Sequence, residues 1–345
     1  MKLVAAATLA KKLGLRMVKP AALTIRRERE GEGWLYRTAR GRRIADVRVI
    51  KRLNSLAVPP AYVDVFYASD AKAHLQAVGR DAAGRLQYRY HPDWEKIREI
   101  RKAQRLIGLV EVLPRIRRAL ATRLNSENPG REFALAAVIE LISASAIRPG
   151  NEEYARAHRT RGATTLLKSN IRCTGDDTLV LSFRAKGGKQ VRKEIRHARL
   201  CTAVGQLREL PGSRVFQYRA DDGTIRQITA ADANAFLREI AGCPISLKDF
   251  RTLCGTAEAM EALAGLEPAT SVRGRKEQIV EAIKCAAEKL ENTPAVCRKS
   301  YVHPAVLTAF ETGALRDFAQ QLKRARSDTT VQAAVGVLLE TAQAA

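Results

Sequence analysis

The chain has 345 residues, enough for two domains with separate cores, and 46% of them are hydrophobic. Its 60 lysines and arginines outnumber 36 acidic residues and give a formal net charge of +24. Because the basic residues run through the whole sequence, we expect a folded basic surface with a polyanionic partner, nucleic acid before anionic membrane. The sequence contains no apolar run of membrane-spanning length and no lipidation motif, so membrane attachment is not expected.

The opening stretch MKLVAAATLAKK is not expected to be a signal peptide, because its apolar core is short and lysines follow at once. The six cysteines include no C-x-x-C pair, and the five histidines are dispersed. This pattern predicts neither a zinc site nor a disulfide framework, and it favours reduced thiols in the cytoplasm. We expect no metal and no cofactor.

Up to about Trp94, short β-like runs alternate with turns, which predicts a small antiparallel sheet with short helices. The segment 58–68 is predicted to be part loop and part strand, and the segment 69–79 to be part helix. Three runs are predicted to be strands: GWLYRT (33–38), RRIADVRVI (42–50) and LQYRYHP (86–92).

From Asp93 onward the pattern becomes helical, starting with the run 94–120. The segment 133–147, FALAAVIELISASAI, is apolar nearly all round, as is typical of a central buried helix. The segment 178–195 alternates apolar and polar residues around two glycines, which predicts a β-hairpin. Further helices are predicted near 229–241, 247–264, 273–290, 294–302 and 328–343. The predicted fold is α+β, with a β-rich domain at 1–97 and a mainly helical domain at 98–345.

Tyr301 has a distinctive local setting, ENTPAVCRKSYVHP (291–304). Thr293 and Pro294 suit the cap and first position of a short helix, and Pro304 disfavours helix just before it. Tyr301 is therefore expected in the last turn of a short helix, where it can face a cleft. The alternative is a half-buried tyrosine on a basic surface helix.

A tyrosine that attacks a phosphodiester needs particular neighbours. A free phenol has a pKa near 10, so only about one in a thousand is ionised at neutral pH, which costs about 4 kcal/mol. Negative charge grows on the phosphate in the transition state, so fixed cations, best arginines, must surround it. A general acid must protonate the leaving alkoxide, and a neutral hydrogen-bond donor helps.

Two arginines are candidates for the fixed cations. Arg148 follows the predicted buried helix directly, and its alternative interpretation is an ion pair with Glu152 or Glu153. Arg251 lies one turn after Lys248 on a predicted helix, so the two can share a face. Its alternative is a solvated basic face.

Lys186, at the tip of the glycine-turn hairpin, could swing into a groove and deliver a proton, or it could be an ordinary exposed lysine. Asn292 lies nine residues before Tyr301 at a helix boundary, where the alternative role is a helix cap. None of these candidates identifies the function by itself. Their order along the chain and their local contexts support it together.

Four segments resemble the catalytic signatures of type IB DNA topoisomerases, in the small form of poxviruses and bacteria. A fifth, AVGRDAAGRLQYRYHPDW (77–94), resembles that family's DNA-contacting strand, and the resemblance extends from about Gly33 to the C-terminal helix. It implies the α+β fold shared by these topoisomerases and tyrosine recombinases. The four segments are RPGNEEYARAHRTRGATTL with Arg148, FRAKGGK with Lys186, KDFRT with Arg251 and NTPAVCRKSYVHP with Tyr301.

The resemblance implies a role for each candidate. Tyr301 would attack a backbone phosphate to form a 3′-phosphotyrosyl link, with Arg148 and Arg251 clamping the phosphorane and Lys186 protonating the departing 5′ oxygen. Many family members carry histidine where this chain has Asn292. An amide can donate to a non-bridging oxygen but cannot carry charge or move a proton.

The resemblance also implies relaxation of supercoiled double-stranded DNA without ATP, metal or cofactor, by a monomer in the bacterial cytoplasm, associated with the nucleoid. Gln87 suits an adenine edge. Tyr88 and Tyr90 share one face of their strand, and the alternative is that this face packs on a core. The residues expected to bind DNA are Gln87, Tyr88, Tyr90, Lys168 and Lys248.

Two other functions stay open at this point. A tyrosine recombinase usually has a histidine three residues before the second arginine, where this chain has Lys248, and a helical rather than strand-rich N-terminal domain. A non-catalytic DNA-binding protein could keep the fold. The intact nucleophile, arginines and lysine argue against it, whereas Asn292 leaves it open.

Overall fold

The computed structural model describes residues 4–126, 129–175, 177–324 and 328–344, and its fold is α+β, as predicted. Contacts between Cα atoms divide the chain into two compact units, the first ending at Lys102 and the second beginning at Ala103. The division into a DNA-contacting domain at 1–97 and a catalytic domain at 98–345 stays a prediction.

The N-terminal unit is built on a five-stranded antiparallel sheet with the order β2-β1-β3-β4-β5. Tyr36, Val65 and Tyr67 of the sheet form an apolar cluster with Leu53, so α2 covers one face. The elements are α1 (Ala6–Lys12), β1 (Ile25–Glu30), β2 (Gly33–Arg37), α2 (Val47–Ser55), β3 (Val63–Tyr67), β4 (Leu75–Arg80) and β5 (Leu86–Tyr90).

Two predicted elements of this unit are wrong. The segment 42–50, predicted to be a strand, is irregular up to Asp46 and enters α2 at Val47, because the Asp46 carboxylate accepts hydrogen bonds from the backbone N–H groups of Arg48 and Val49 and starts a helix. The segment 69–79, predicted to be part helix, contains β4, which is buried at five successive positions and so lacks apolar–polar alternation. The predicted strands in 33–38, 58–68 and 86–92 are confirmed.

The long predicted helix is confirmed as α3 (Pro92–Leu124). In the C-terminal unit, α4 (Arg131–Ser145) is the predicted buried helix, with ten buried residues and neighbours α6, α7 and α8. The other helices are α5 (Glu152–His158), α6 (Ala198–Glu209), α7 (Ala230–Ala241), α8 (Leu247–Ala264), α9 (Val272–Lys289), α10 (Pro294–Ser300), α11 (Pro304–Glu311), α12 (Arg316–Lys323) and α13 (Asp328–Ala344).

The predicted hairpin is also confirmed. It belongs to a sheet of β6 (Ile171–Thr174), β7 (Thr178–Arg184) and β8 (Gln190–Arg196), and a second small sheet pairs β9 (Gln217–Arg219) with β10 (Ile225–Gln227). Gly187 and Gly188 take φ values of 80° and 77° in the hairpin turn. These positive values favour glycine, which explains the Lys-Gly-Gly sequence at the tip.

Candidate active site

Arg148 lies in an irregular segment just past the end of α4. The helix ends at Ser145, earlier than the sequence suggested, because Ala146 takes a left-handed conformation with φ 54°. The Arg148 carbonyl accepts a hydrogen bond from the backbone N–H of Ala163 at 2.8 Å, which fixes the segment. Its guanidinium donates to Oδ1 of Asn292.

The alternative ion pair for Arg148 is not formed with Glu152. That carboxylate accepts from Arg214 at 2.7 Å instead. Burial lowers the pKa of Arg148, and the charge of Arg251 lowers it further, whereas Tyr301 and Glu291 oppose the shift. Arg148 is therefore held among charged groups of the same pocket.

Arg251 is buried in the first turns of α8, with only 2% of its surface exposed. Its Nη1 donates to the carbonyl of Ala146, and its Nη2 donates to the carbonyl of Leu290 at 3.0 Å. Both carbonyls stand at helix C-termini, where the helix dipole is negative and favours a cation. A solvated basic face, the alternative interpretation of Arg251, is therefore wrong.

Tyr301 ends α10, the short helix predicted from its sequence, with Thr293 as the N-cap and Pro294 at the first position. Its ring lies beside two cations: the Arg251 Cζ is 5.0 Å from the ring centroid, and the Lys248 Nζ is 5.7 Å from it. The predicted shared face of Lys248 and Arg251 is thus the face toward Tyr301.

The backbone of Tyr301 is held close to α8. Thr256 Oγ1 donates to the Tyr301 carbonyl at 3.0 Å. A Cβ on Gly255 would lie 3.2 Å from Tyr301 Cβ and 2.8 Å from Leu290 Cδ1. Glycine at this position lets α8 approach the tyrosine segment closely.

Asn292 lies between α9 and α10 and is not the cap of α10, since Thr293 fills that role. Its Oδ1 accepts from Arg148, and its buried Nδ2 has no hydrogen-bond partner among the described residues. The buried Nε of Arg251 is likewise unpaired within the described part of the chain. Unpaired buried donors are costly, so these two N–H groups suit an anionic acceptor.

Lys186 lies exposed in the hairpin turn, and its Nζ is 5.6 Å from the ring centroid of Tyr154 on α5. The preceding residue, Ala185, lines the same pocket as Arg148 and Arg251. The turn therefore starts at the pocket, while the ammonium group rests on a ring other than that of Tyr301.

The expected DNA-binding residues have varied surroundings. Lys248 faces Tyr301, whereas the Lys168 ammonium donates to the carbonyl of Leu210. In the N-terminal unit, Gln87 donates to Asp81 at 2.9 Å.

The two tyrosines of β5 stack on each other, with ring centroids 6.1 Å apart, so they share a face as predicted. Tyr88 is 44% exposed. Tyr90 packs against a small apolar cluster and stacks on Trp94 at 6.0 Å, and burial raises its pKa. The packed-face interpretation therefore holds for Tyr90, and Tyr88 is the more accessible ring.

Three charged residues of the pocket were not predicted from the sequence: Arg161, Lys193 and Glu291 line it together with Arg148 and Arg251. A signal for Lys193 was present, since it takes an inward position in the alternating run Val191–Ile195. Arg161 and Glu291 lie in irregular segments without a comparable pattern.

Within the described residues, no group of three or more His, Cys, Asp or Glu side chains is arranged to hold a metal ion. Among the same residues, no helix combines the length and apolar character that a membrane crossing requires.

Comparison with known proteins identifies the family. The family model described as "Eukaryotic DNA topoisomerase I, catalytic core" matches residues 88–329, and "Bacterial DNA topoisomerase IB, N-terminal domain" matches residues 33–81. The DNA topoisomerase 1B of Acanthamoeba polyphaga mimivirus is 29% identical over 285 residues, covering 81% of this chain and 84% of the viral protein. The first match covers more than half of the sequence, and the chain belongs to the type IB DNA topoisomerases, isomerases that act on DNA.

Proposed function

We propose that this topoisomerase relaxes supercoiled DNA through a covalent intermediate on Tyr301. The phenol oxygen attacks a backbone phosphorus, the bond from phosphorus to the 5′ oxygen breaks, and a 3′-phosphotyrosyl link forms. The phenol proton passes to solvent, and Lys186 supplies the proton that the 5′ oxygen takes up. Religation is the reverse reaction, with the 5′-hydroxyl as nucleophile.

The observation that carries this proposal is the set of cations and unpaired donors around one tyrosine. The Tyr301 ring lies 5.0 Å from the Arg251 guanidinium and 5.7 Å from the Lys248 ammonium, so two positive charges stand beside the proposed nucleophile. The buried Nε of Arg251 and Nδ2 of Asn292 have no partner among the described residues, so they can donate to non-bridging phosphate oxygens. Arg148 joins them through its contact with Asn292.

The proton donor must move in this scheme. The Lys186 ammonium lies over Tyr154, 5.6 Å from its ring centroid, in a turn that contains two glycines with positive φ. We infer that binding of DNA draws the ammonium from this weak cation–π contact toward the scissile phosphate. Such a movement brings the acid to the phosphate only when the phosphate is present.

The scheme needs no external energy source. A phosphodiester is exchanged for a phosphotyrosyl diester of similar energy, so religation requires neither ATP nor a ligase. The arginines and lysines neutralise the charge that grows on the phosphate, a role that metal ions take in other phosphoryl-transfer sites. Torsion in the duplex turns the free strand end while the link persists.

We further propose that the enzyme acts as a monomer on double-stranded DNA in the bacterial cytoplasm, at the nucleoid. Gln87 and Tyr88 on β5 are proposed to contact a DNA groove, with the more buried Tyr90 supporting the Tyr88 ring. Lys168 and Lys248 are proposed to bind phosphates, and Lys168 must first leave the Leu210 carbonyl.

The decisive experiment replaces the nucleophile. Tyr301→Phe is expected to bind DNA with parental affinity but to form no covalent adduct with a nicked or supercoiled substrate. Relaxation of supercoiled plasmid without ATP and in the presence of a chelator should be lost with it. Parental relaxation by Tyr301→Phe would overturn the assignment, and relaxation by the parental protein without paired target sites separates it from a recombinase.

A further inference from the structure

Lys193 occupies a position of β8 where the sheet pattern favours an apolar side chain. Its strand neighbours Arg192 and Glu194 are exposed, and Lys193 pairs across the sheet with Leu181, which is fully buried. Burial lowers the pKa of Lys193. A cation in such a place needs partners that compensate for lost hydration.

The partners are the C-terminal ends of two helices. The Lys193 ammonium donates to the carbonyl of Ser145, the last residue of α4, at 3.1 Å, and to that of Lys289, the last residue of α9, at 2.5 Å. Arg251 donates to the next carbonyl along each of the same two segments. Two cations from different elements therefore hold two successive carbonyls at each of two helix ends.

These helix ends lead directly to the site. Arg148 lies three residues past Ser145, Asn292 lies three residues past Lys289, and the two side chains are hydrogen-bonded to each other. The separation of the two helix ends therefore sets where Arg148 and Asn292 can stand.

The hairpin is tied to the same corner. Lys189, directly before β8, forms an ion pair with Glu291 at 3.0 Å. The strand that carries Lys193 is thus fastened next to Asn292 at two places.

We propose that Lys193 is a positioning residue for strand cleavage, because its ammonium fixes the ends of α4 and α9 and so holds Arg148 and Asn292 around the scissile phosphate. This inference rests on the proposed function, in which those two side chains bind that phosphate. A displacement of about 1 Å in such groups can lower a rate about 10²-fold.

Lys193→Met keeps the length of the side chain and removes the ammonium. We expect single-turnover cleavage of a duplex substrate to slow about 10²-fold. DNA affinity should change less than about 3-fold, since the ammonium is bonded to carbonyls of the protein. The matched control is Arg192→Met on the other face of the same strand, whose side chain is 72% exposed and paired with Glu194. It should cleave at the parental rate.

A substrate with sulfur in place of the bridging 5′ oxygen separates positioning of the phosphate ligands from positioning of the acid. Its thiolate leaves without protonation, because a thiol has a pKa near 8.5. Lys186→Ala should regain most of its rate on this substrate, whereas Lys193→Met should stay slow on it. The inference would be overturned if Lys193→Met regained its cleavage rate on the sulfur substrate, or if it cleaved the ordinary substrate at the parental rate.

Two further variants distinguish a loss of positioning from a loss of folding, and all rates are expressed per folded molecule. Lys193→Arg keeps charge and donors and should recover to within about 10-fold of the parental rate, and equal losses in the Arg and Met variants would contradict the proposal. Lys193→Gln replaces the Met variant if that one does not fold, and should be at least about 10-fold slower than the parent, since it has no charge. Absence of cleavage by the parental protein would instead refute the proposed function.

Discussion

The site has two parts that differ in burial and bonding. The helix-end half consists of Arg148, Arg251 and Asn292 at the ends of α4 and α9, and the other part is the hairpin turn with Lys186. At the helix ends, Arg251 is 2% exposed and bonded to two carbonyls, and Arg148 is bonded to Asn292. At the turn, Lys186 is exposed and lies outside the paired residues of β7 and β8. Its Nζ is 5.6 Å from the centroid of the Tyr154 ring. The helix-end groups are held by hydrogen bonds within the protein, whereas we propose that the Lys186 ammonium changes position when DNA binds.

This difference matches what each half is proposed to do. Charge that develops on a phosphate is stabilised best by donors that need no reorganisation, so buried and bonded arginines suit it. A general acid must reach the leaving oxygen and release a proton, so a mobile lysine suits that step. Stability and catalysis should therefore be coupled at the helix ends and separate at the turn.

The largest expected effect follows removal of Arg251. Arg251→Ala should slow cleavage about 10³-fold, because a transition-state donor is lost. It should also lower the free energy of unfolding by about 2–4 kcal/mol, since the Ala146 and Leu290 carbonyls lose their donor. Single-turnover cleavage and urea denaturation measure the two effects.

The control for Arg251 is Arg273→Ala on α9, whose side chain is 89% exposed. It should leave both quantities close to the parental values. Loss of rate without loss of stability in Arg251→Ala would contradict the coupling proposed for the helix ends.

Lys186→Ala provides the opposite case at the turn. The cleavage rate should fall about 10²-fold, because no acid protonates the leaving oxygen. The melting temperature should stay within about 1 °C of the parental value, since the side chain removed is exposed and its contact with the Tyr154 ring is weak. Calorimetry on the same samples used for cleavage gives both numbers. A melting temperature lowered as far as that of Arg251→Ala would remove the distinction between the two halves.

The contrast also explains which parts of the molecule could be predicted from the sequence. The buried helix α4, the hairpin with its two glycines and the capped helix before Tyr301 follow from local patterns. The predictions at 42–50 and 69–79 were wrong because a helix cap at Asp46 and a strand buried at five of its six residues outweighed the apparent periodicity.

The site divides in the same manner. Tyr301, Arg148 and Lys186 could be proposed from chain order and neighbours alone. The burial of Arg251 could not, because its partners Ala146 and Leu290 lie 105 and 39 residues away in the sequence. No local pattern records contacts between helix ends that meet only in the folded chain.

Substitution of Gly255 tests how tightly α8 packs against the segment that carries Tyr301. Gly255→Ala places a Cβ 2.8 Å from Leu290 Cδ1 and 3.2 Å from Tyr301 Cβ, so the free energy of unfolding should fall by about 1–3 kcal/mol. Gly205→Ala is the matched control, because it lies exposed in α6 with nothing within 4 Å, and it should stabilise by about 0.5–1 kcal/mol. Urea denaturation of both variants measures these changes. Equal changes in the free energy of unfolding would show that α8 does not approach Tyr301 tightly.

The smallest expected effect is a pH dependence of stability that comes from Lys193. Burial lowers its pKa, Arg251 and Lys289 lower it further, and Glu291 and Cys254 oppose them. Between this lowered pKa and the ordinary value near 10.5, the unfolded chain holds the proton more often than the folded chain. The contribution of Lys193 to the free energy of unfolding therefore rises with pH between these two pKa values. Urea denaturation of the parental protein and Lys193→Met at several alkaline pH values measures this difference, in which the titrating groups that do not interact with Lys193 cancel. The parental protein should gain stability relative to the variant as pH rises, and a relative loss would mean that the folded site favours the ammonium. The expected outcome is that of a half-buried cation that lowers stability and is retained because it positions Arg148 and Asn292.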